Sequence, residues 1–227
     1  MSPHRRSEVT LLLLLGAPGA GKGTQGALLA AATGALHVSV GDLFRAQITA
    51  GTPLGRVAKR AIDTGSLVDD ALTVAMIEER LASDDVGRRV ILDGFPRSIP
   101  QAVALDAVAA RHGWGLAPLL LDVDPATLTG RLTGRSSCPG CGTIYHHTYR
   151  PSRVTGRCDS CDCALIVRSD DEPAIVAARL TNQLGTLAGV VDHYRTGGRL
   201  SVVVGEGAVR DVADRMLLAG VAAFGIR

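Results

Sequence analysis

Short apolar runs alternate along the chain with longer segments in which apolar residues recur at helical spacing. The apolar runs lie at residues 9–15, 36–39, 89–92, 118–123 and 200–204, and Gly, Pro or Asp residues bound them. The helical patterns cover residues 24–32, 71–81, 100–110, 175–194 and 209–223. Continuous apolar runs of this length are typical of strands that are buried on both faces. The alternation predicts an α/β fold, with a five-stranded parallel sheet flanked by helices.

A glycine-rich loop follows the first apolar run directly. Residues 16–24 read Gly-Ala-Pro-Gly-Ala-Gly-Lys-Gly-Thr, and a helical segment comes next. The backbone N–H groups of such a loop and the amino end of the helix can wrap a phosphate, and the lysine can reach the terminal phosphates. Of the 24 basic residues in the chain only Lys22 and Lys59 are lysines, and Lys22 lies at the phosphate position. The sequence therefore predicts a P-loop rather than a merely tight turn.

A sharp turn, Asp93-Gly-Phe-Pro-Arg97, follows the third apolar run. Such a turn lies at the carboxyl edge of a parallel sheet, where open α/β folds bind ligands. Asp93 can hold a water molecule on Mg²⁺, and the planar guanidinium of Arg97 can bind a phosphate. Gln101 offers one donor and one acceptor, which complement the N6-amino group and N1 of adenine. Taken singly, a capping Asp, a surface Arg and a solvated Gln are the alternatives.

Residues 136–169 break the alternating pattern. The segment is rich in Cys, Gly, Arg and Asp, which indicates an inserted unit with little core of its own. Four of its cysteines form two Cys-x-x-Cys pairs, at Cys138 and Cys141 and at Cys158 and Cys161. This spacing predicts a structural zinc site, in preference to a chance pairing of core thiols. We interpret Cys163 as a spare free thiol, with competition as a ligand as the alternative, and the nearby His146 and His147 as surface or hinge residues.

Composition and charge narrow the class of protein. Hydrophobic residues make up 46% and charged residues 20%, which is typical of a soluble globular chain. A net charge of +2 and an aromatic content of 3% argue against a nucleic-acid surface. Paired cysteines suit zinc in a reducing cytoplasm. The basic start at residues 4–6 and the apolar run after it resemble a secretory signal, but cleavage would destroy the P-loop, so we interpret the run as a strand.

The sequence GAPGAGKGTQ at residues 16–25 resembles the phosphate-binding loop of adenylate kinases and related nucleoside-monophosphate kinases. The resemblance continues through HVSVGDLFR at 37–45, GSLVDD at 65–70 and DGFPRSIPQA at 93–102. It implies the fold of a P-loop nucleoside-monophosphate kinase of the long-lid type. The implied units are a core of residues 1–37, 68–130 and 170–227, a helical monophosphate-binding region at 38–67, and a zinc-stapled lid at 131–169.

The same resemblance implies roles for individual residues. Those implied to bind ATP are Gly19, Ala20, Gly21, Lys22, Gly23, Thr24, Arg131 and Arg135. Those implied to bind AMP are Val40, Arg45, Ser66, Leu67, Val68, Gly94, Arg97, Gln101, Arg168 and Arg179. Those implied to act on the transferring phosphoryl group are Lys22, Arg97, Arg131, Arg135, Arg168 and Arg179. Asp42 and Asp93 are implied to hold the water shell of Mg²⁺, and Asp170 and Asp171 match a paired acidic motif.

Some positions depart from the family pattern. Gly23 stands where the general P-loop motif has Ser or Thr, and Val40 stands where adenylate kinases commonly carry a Thr that helps to fix adenine. Gly189 replaces an expected Pro, Ser136 replaces a second Arg, and residues 204–207 only roughly resemble the family's Asp-Gly turn. The loss of the Thr hydroxyl bears on the choice of acceptor, whereas Gln101 favours adenine because pyrimidine-specific relatives tend to have Asn there.

We therefore expect Mg²⁺-dependent phosphoryl transfer from ATP to AMP, which gives two ADP. Transfer to an ionised phosphate needs charge neutralisation and alignment in a dry site rather than a general base. One alternative is a related kinase that uses UMP or CMP, or GTP with AMP. Another is a nucleotide-dependent protein whose zinc ribbon contacts nucleic acid or a partner. The expected protein is cytoplasmic and monomeric, with ATP, AMP and ADP as its partners and no nucleic acid or membrane.

Overall fold

The computed structural model describes residues 9–64, 66–83 and 85–226. The basic start at residues 4–6 and Gly65 of the GSLVDD segment lie outside the described residues. The strands are β1 (Thr10–Leu15), β2 (Leu36–Ser39), β3 (Arg89–Asp93), β4 (Gly115–Asp122), β5 (Arg135–Ser137), β6 (Ile144–His146) and β7 (Ser201–Val204). The helices are α1 (Lys22–Thr33), α2 (Val40–Thr49), α3 (Pro53–Asp63), α4 (Asp70–Leu81), α5 (Ile99–His112), α6 (Pro125–Thr133), α7 (Pro173–Thr196) and α8 (Val209–Ala223), with a 3₁₀ turn at Ser169–Asp171.

Five parallel strands form the central sheet in the order β2-β3-β1-β4-β7, as predicted. Residues 11–15 of β1 are all buried, because β1 is the middle strand and helices cover both of its faces. Helices α2 to α5 pack on one face, α1, α6 and α8 pack on the other, and α7 contributes to both apolar clusters. The unbroken apolar run in the sequence thus reflects burial on two sides.

The strand order brings three loops together at the carboxyl edge of the sheet. Leu14 of β1 pairs with Asp93 of β3, and Asp93 also lies opposite Ser39 of β2. The glycine-rich loop, the Asp93 turn and the start of α2 therefore emerge side by side. This edge is where parallel α/β sheets bind ligands.

The apolar periodicity of the sequence did not predict helices α2, α3 and α6. Each is short, with 10, 11 and 9 residues, so few apolar positions were available to show a helical repeat. Their starts are nevertheless capped: the hydroxyl of Ser39 accepts a hydrogen bond from the Asp42 backbone N–H, and Thr52 caps α3 in the same way. The caps were a better signal for these helices than periodicity.

Helix α7 is continuous through Gly189, the position where the family pattern has Pro. An ideal Cβ at Gly189 would lie 2.9 Å from Cδ1 of Ile99, so the glycine allows the start of α5 to pack closely against α7. By length and composition α7 is also apolar enough to cross a membrane. It carries Arg179, which is paired with Asp170, and it packs on α5 and α6. We interpret α7 as a core helix that reaches the site.

Candidate active site

A cavity of about 790 Å³ lies at the carboxyl edge of the sheet, between the glycine-rich loop and the lid strands β5 and β6. Every residue implied to bind ATP lines it, and so do Asp42, Asp93 and Arg168. A smaller cavity of about 70 Å³ adjoins it and is lined by all the other residues implied to bind AMP. Arg45, Arg97 and Arg179 line both cavities. The structure therefore brings the predicted site residues together around one divided space.

The glycine-rich loop has the backbone that its sequence requires. Gly19 and Gly21 have φ values of 84° and 100°, a region that disfavours residues with a Cβ. Gly21 directly precedes α1, so the loop amides and the amino end of the helix face the cavity together. The ammonium group of Lys22 donates to the carbonyls of Gly16 and Ala17, at 2.7 and 2.9 Å. Burial lowers the pKa of Lys22 to about 8, and the nearby Asp93 acts in the opposite direction.

A contact with the lid accounts for glycine at position 23, where the general P-loop motif has Ser or Thr. An ideal Cβ at Gly23 would lie 3.2 Å from Cδ1 of Ile144 and 3.6 Å from a carboxylate oxygen of Asp93. Ile144 belongs to β6 of the lid, so the lid packs directly on the start of α1. A Ser or Thr side chain at this position would crowd that contact unless Ile144 shifted.

Two buried aspartates hold the arginines of the larger cavity. Asp171 accepts two hydrogen bonds from Arg135, at 2.8 and 2.5 Å, and Asp170 forms an ion pair with Arg179 at 2.9 Å. Both carboxylates lie in the 3₁₀ turn between the lid and α7 and are less than a tenth exposed. Arg168 is held separately, by a bond from its Nε to the hydroxyl of Ser137. The acidic pair thus fixes one arginine of the lid and one of α7 at the same point.

The cavity carries an excess of crowded positive charge. Burial lowers the pKa of Arg97 to about 10, and the neighbouring Arg179 lowers it further. Burial likewise lowers the pKa of Arg168 to about 10, with Arg45 as the next contributor. For Asp170, burial acts to raise the pKa, but Arg179 and Arg135 outweigh burial and keep the pKa below its usual value. Such a cluster favours a polyanionic ligand, which would relieve the repulsion between the guanidinium groups.

Arg131 lies apart from this cluster. Its guanidinium donates to the carbonyl of Gly205, at 3.3 Å, and to the carbonyl of Ala20, at 3.4 Å. Two lid residues that sequence reasoning assigned no ligand role, His146 and Tyr149, also line the larger cavity, with ring centroids 4.5 Å apart. His146 lies 3.2 Å from the Gly130 carbonyl, at the junction of α6 and the lid. No sequence motif indicated that these rings would face the cavity.

The two carboxylates implied for the Mg²⁺ water shell, those of Asp93 and Asp42, differ in exposure and in the side chains beside them. Asp93 is 7% exposed, and one of its oxygens lies 3.4 Å from Nε2 of His37, a residue that sequence reasoning did not assign. Asp42 is exposed and forms an ion pair with Arg45 at 2.5 Å. A carboxylate beside Lys22 and Gly23 fits a magnesium ion that accompanies nucleotide phosphates. Asp42 lines the same cavity, and its carboxylate would have to break the ion pair with Arg45 to contribute to the magnesium site.

The four predicted cysteine ligands converge in the lid. The sulfurs of Cys138, Cys141, Cys158 and Cys161 all lie within 4.8 Å of one another. The Cys138–Cys161 and Cys141–Cys158 pairs are 3.3 and 3.4 Å apart. Zinc–sulfur bonds of about 2.3 Å place the sulfurs of a tetrahedron about 3.8 Å apart, so the residues fit zinc. With four ligands from the chain, a bound ion would have no open position.

Comparisons with known proteins agree with this geometry. A family model described as adenylate kinase matches residues 14–199. The adenylate kinase of Salinispora tropica is 42% identical over 207 residues, which cover 91% of this chain and 95% of that relative. The adenylate kinase of Nitrosococcus oceani is 45% identical over 206 residues, which cover 90% and 95%. This chain belongs to the adenylate kinase family.

Within the framework of an adenylate kinase, the smaller cavity shows how Gln101 is held. Gln101 is 2% exposed; its amide oxygen accepts from the backbone N–H of Arg97 at 2.8 Å, and its amide nitrogen donates to Asp70 at 2.7 Å. The other oxygen of Asp70 accepts from the hydroxyl of Ser98 at 2.9 Å. Because a carboxylate can only accept, Asp70 fixes which end of the amide carries the donors. Sequence reasoning assigned a role to Gln101 but none to Asp70, the last residue of the GSLVDD segment, which lies 31 residues earlier in the chain.

Val40 forms part of the wall of this smaller cavity and is 3% exposed. It is the first residue of α2 and lines this cavity together with Arg45. Its side chain offers no hydrogen bond. The uncharged polar residues that line this cavity are Gln101, Ser66, Thr73 and Gln183.

Proposed function

We propose that this protein transfers the terminal phosphoryl group of ATP reversibly to AMP, giving two ADP. The observation that carries the proposal is the divided cavity, with the P-loop in one part, Gln101 in the other and an arginine cluster where they meet. Membership of the adenylate kinase family and the names of the relatives support the same reaction. Two nucleotides bound in the two parts would present their phosphates to each other across this cluster.

The proposed roles follow from these positions. Lys22 and the amides of residues 19–24 bind the terminal phosphates of ATP, and Arg131 holds the donor nucleotide near Gly205. Arg45 and Arg97 bind the phosphate of AMP, and Gln101 pairs with N1 and the N6-amino group of adenine. Arg135, Arg168 and Arg179 neutralise the charge of the phosphoryl group during transfer. Asp93 and Asp42 would hold water molecules of a magnesium ion that neutralises the ATP phosphates.

Exclusion of water is the proposed role of the lid. Water competes with AMP as an acceptor, so residues 131–169 should cover the phosphates before transfer takes place. Arg135 and Ile144 already connect the lid to Asp171 and to the P-loop. Zinc on the four cysteines would keep this core-poor segment rigid, which is a structural role. The division into core, monophosphate-binding region and lid belongs to the same proposal.

The identity of the acceptor nucleotide is the one point at which this chain's residues also support an alternative function. Val40 removes the hydroxyl that the family uses near the base, which favours a related kinase with another acceptor, such as UMP or CMP, or with GTP as the donor. Gln101, held by Asp70 and Arg97, supports adenine because its donor and acceptor match the adenine edge. We therefore propose AMP and ATP as the substrates. We propose further that the enzyme is a monomer in the reducing cytoplasm and has neither nucleic acid nor membrane as a partner.

A panel of nucleotides tests the proposal. Diphosphate formation would be followed with AMP, UMP, CMP and GMP as acceptors, each with ATP and with GTP as donor. We expect kcat/KM for AMP with ATP to exceed that of each pyrimidine acceptor by at least about tenfold, since unpaired polar groups penalise the wrong base. AMP used no better than UMP or CMP would assign the protein to the related kinases. Transfer to none of these acceptors would favour a nucleotide-dependent binding protein.

A further inference from the structure

The two cysteine knuckles of the lid have the same backbone fold. In the first, the N–H of Cys138 donates to the carbonyl of Thr143, and the N–H of Gly142 donates back to Cys138. In the second, the N–H of Cys158 donates to the carbonyl of Cys163, and the N–H of Asp162 donates back to Cys158. Gly142 and Asp162 both have positive φ, at 73° and 57°. Cys163 therefore occupies the position in the second knuckle that Thr143 occupies in the first.

This equivalence places the side chain of Cys163 beside the sulfurs of the cluster. In the first knuckle the hydroxyl of Thr143 lies 3.1 Å from the sulfur of Cys141. In the second knuckle the corresponding side chain is itself a thiol, two residues beyond Cys161. A hydroxyl at this position can only hydrogen-bond to a metal-bound sulfur, whereas a thiol can lose its proton and bind zinc.

Gly140 shows where the thiol of Cys163 lies. An ideal Cβ at Gly140 would be 2.9 Å from the sulfur of Cys163, 3.5 Å from that of Cys161 and 3.8 Å from that of Cys138. Three sulfurs thus surround one point, and two of them belong to predicted ligands. Cys163 is half-buried and packs against the small lid core of Cys138, Tyr145 and Cys158.

The four predicted ligands are not equally protected. Cys138 and Cys158 are buried, whereas Cys141 and Cys161 are exposed. The exposed ligand of the second knuckle has a second thiol next to it, and the exposed ligand of the first knuckle has Thr143. A spare thiol thus lies next to one exposed ligand but not next to the other.

We propose that Cys163 is a fifth zinc-binding thiol, which takes the place of Cys161 when Cys161 is removed or blocked. In the exchange the sulfur of Cys163 binds the metal, its proton goes to solvent, and the position of Cys161 is vacated. The inference rests on the zinc site of the proposed function. It adds a ligand that the Cys-x-x-Cys pattern does not include.

The test compares Cys161→Ser with Cys141→Ser, which removes the equivalent ligand of the knuckle that has no spare thiol. Each protein would be purified with zinc, and metal per chain and the rate of zinc transfer to a chelator would be measured. Replacing zinc with Co²⁺ would then count the thiolates from the intensity of the sulfur-to-cobalt absorption. Cys163→Ser alone and Cys161→Ser/Cys163→Ser complete the series.

We expect Cys161→Ser to keep about one metal per chain, with four thiolates, as in the unmodified protein. Cys141→Ser and the double variant should show three thiolates and lose zinc at least about 10-fold faster. Cys163→Ser alone should behave as the unmodified protein, which shows that the lid still folds. Equal metal loss and three thiolates in both Cys161→Ser and Cys141→Ser would overturn the inference while leaving the zinc site intact. Absence of metal from the unmodified protein would instead overturn the zinc site, and this inference with it.

Discussion

The donor side and the acceptor side of the cavity are built differently. The donor side consists mainly of the glycine-rich loop at residues 16–24, covered by the lid, with Arg131 and Arg135 beside it. The acceptor side consists of side chains from several separate elements, including Val40 of α2, Asp70 of α4 and Gln101 of α5. Most of the donor side is one contiguous segment, whereas the acceptor side is assembled only by folding.

This difference separates the functions of the two sides. A charge removed from the donor side affects every phosphoryl transfer, because the terminal phosphates of the donor are common to all acceptors. A change on the acceptor side alters a small number of hydrogen bonds to one base. We therefore expect large effects on the rate from the donor side and smaller effects on acceptor affinity and choice from the acceptor side.

The largest effect should come from Lys22→Met on the donor side. Loss of the ammonium group should lower kcat/KM by about 10³-fold or more, by analogy with other charges that stabilise phosphoryl transfer. The melting temperature should change little, since relief of the buried charge opposes the loss of two hydrogen bonds to the loop carbonyls. Steady-state kinetics with ATP and AMP and a thermal melt check both parts.

The chain's other lysine provides the control for this prediction. Lys59 is exposed on α3 and pairs with Asp63, an ion pair of little energetic weight. Lys59→Met should leave kcat/KM within about twofold of the unmodified protein. Equal losses in both variants would show that general positive charge matters, rather than an ammonium group in the P-loop.

Removal of zinc tests whether the metal stabilises the lid that covers the donor side. Apart from its cysteines, the lid core contains little more than Tyr145 and Leu165, so the metal should contribute several kcal/mol to its stability. In a chain of this size that corresponds to a melting temperature lower by about 10 °C. Treatment of Cys138→Ser with chelator should produce this change, with a smaller loss of activity at low temperature. Metal-free protein that melts at the same temperature as the zinc-loaded form would contradict the structural role.

The affinity of the donor side for ATP should depend on pH through Lys22. Its pKa of about 8 in the free protein means that the group loses its proton above that pH. Bound phosphates favour the charged form, so binding above pH 8 must take up a proton. The dissociation constant for ATP should therefore be constant near pH 7.5 and rise by up to about tenfold per pH unit above pH 8. Calorimetry in buffers of different ionisation enthalpy measures both the constant and the proton uptake.

Lys22→Arg is the control for this pH dependence, because a guanidinium keeps its charge over the same range. Its affinity for ATP, whatever the starting value, should be flat from pH 7.5 to pH 9, below the pKa of about 10 of Arg97 and Arg168. A similar rise in the dissociation constant for this variant would assign the pH dependence to another group.

On the acceptor side, Asp70→Ala should release the amide of Gln101 without touching any phosphate contact. We expect KM for AMP to rise about tenfold and the preference for AMP over UMP to fall, with kcat within about threefold, since Gln101 and Ser98 each lose a charged hydrogen-bond partner. Asp70→Glu keeps a carboxylate and should restore most of the preference. A fall in kcat with an unchanged base preference would show that Asp70 stabilises the fold rather than the orientation of Gln101.

The smallest effect should come from Val40→Thr. If the wall at Val40 faces the base, an added hydroxyl can make one neutral hydrogen bond and lower KM for AMP by about 2–10-fold. Val and Thr have nearly the same shape, so the variant changes little else. A higher KM would mean that the hydroxyl is buried without a partner, and that acceptor choice depends on Gln101 alone.

The same contrast accounts for what could be predicted from the sequence. The five strands, the P-loop and the cysteine cluster depend on contiguous patterns or fixed spacings, and the structure confirms them. Asp70 and His37 act through contacts with Gln101 and Asp93, across 31 residues or more, which no local pattern reports. The cavity-facing positions of His146 and Tyr149 likewise depend on how the lid lies over the loop.

The most direct test of the account is a complete nucleotide balance. The protein would be incubated with ATP, AMP and Mg²⁺, and ATP, AMP, ADP and inorganic phosphate would be measured by ³¹P NMR. The account predicts two ADP for each AMP consumed, no release of inorganic phosphate, and no loss of ATP when AMP is left out. Release of phosphate from ATP at the same rate with and without AMP would contradict it.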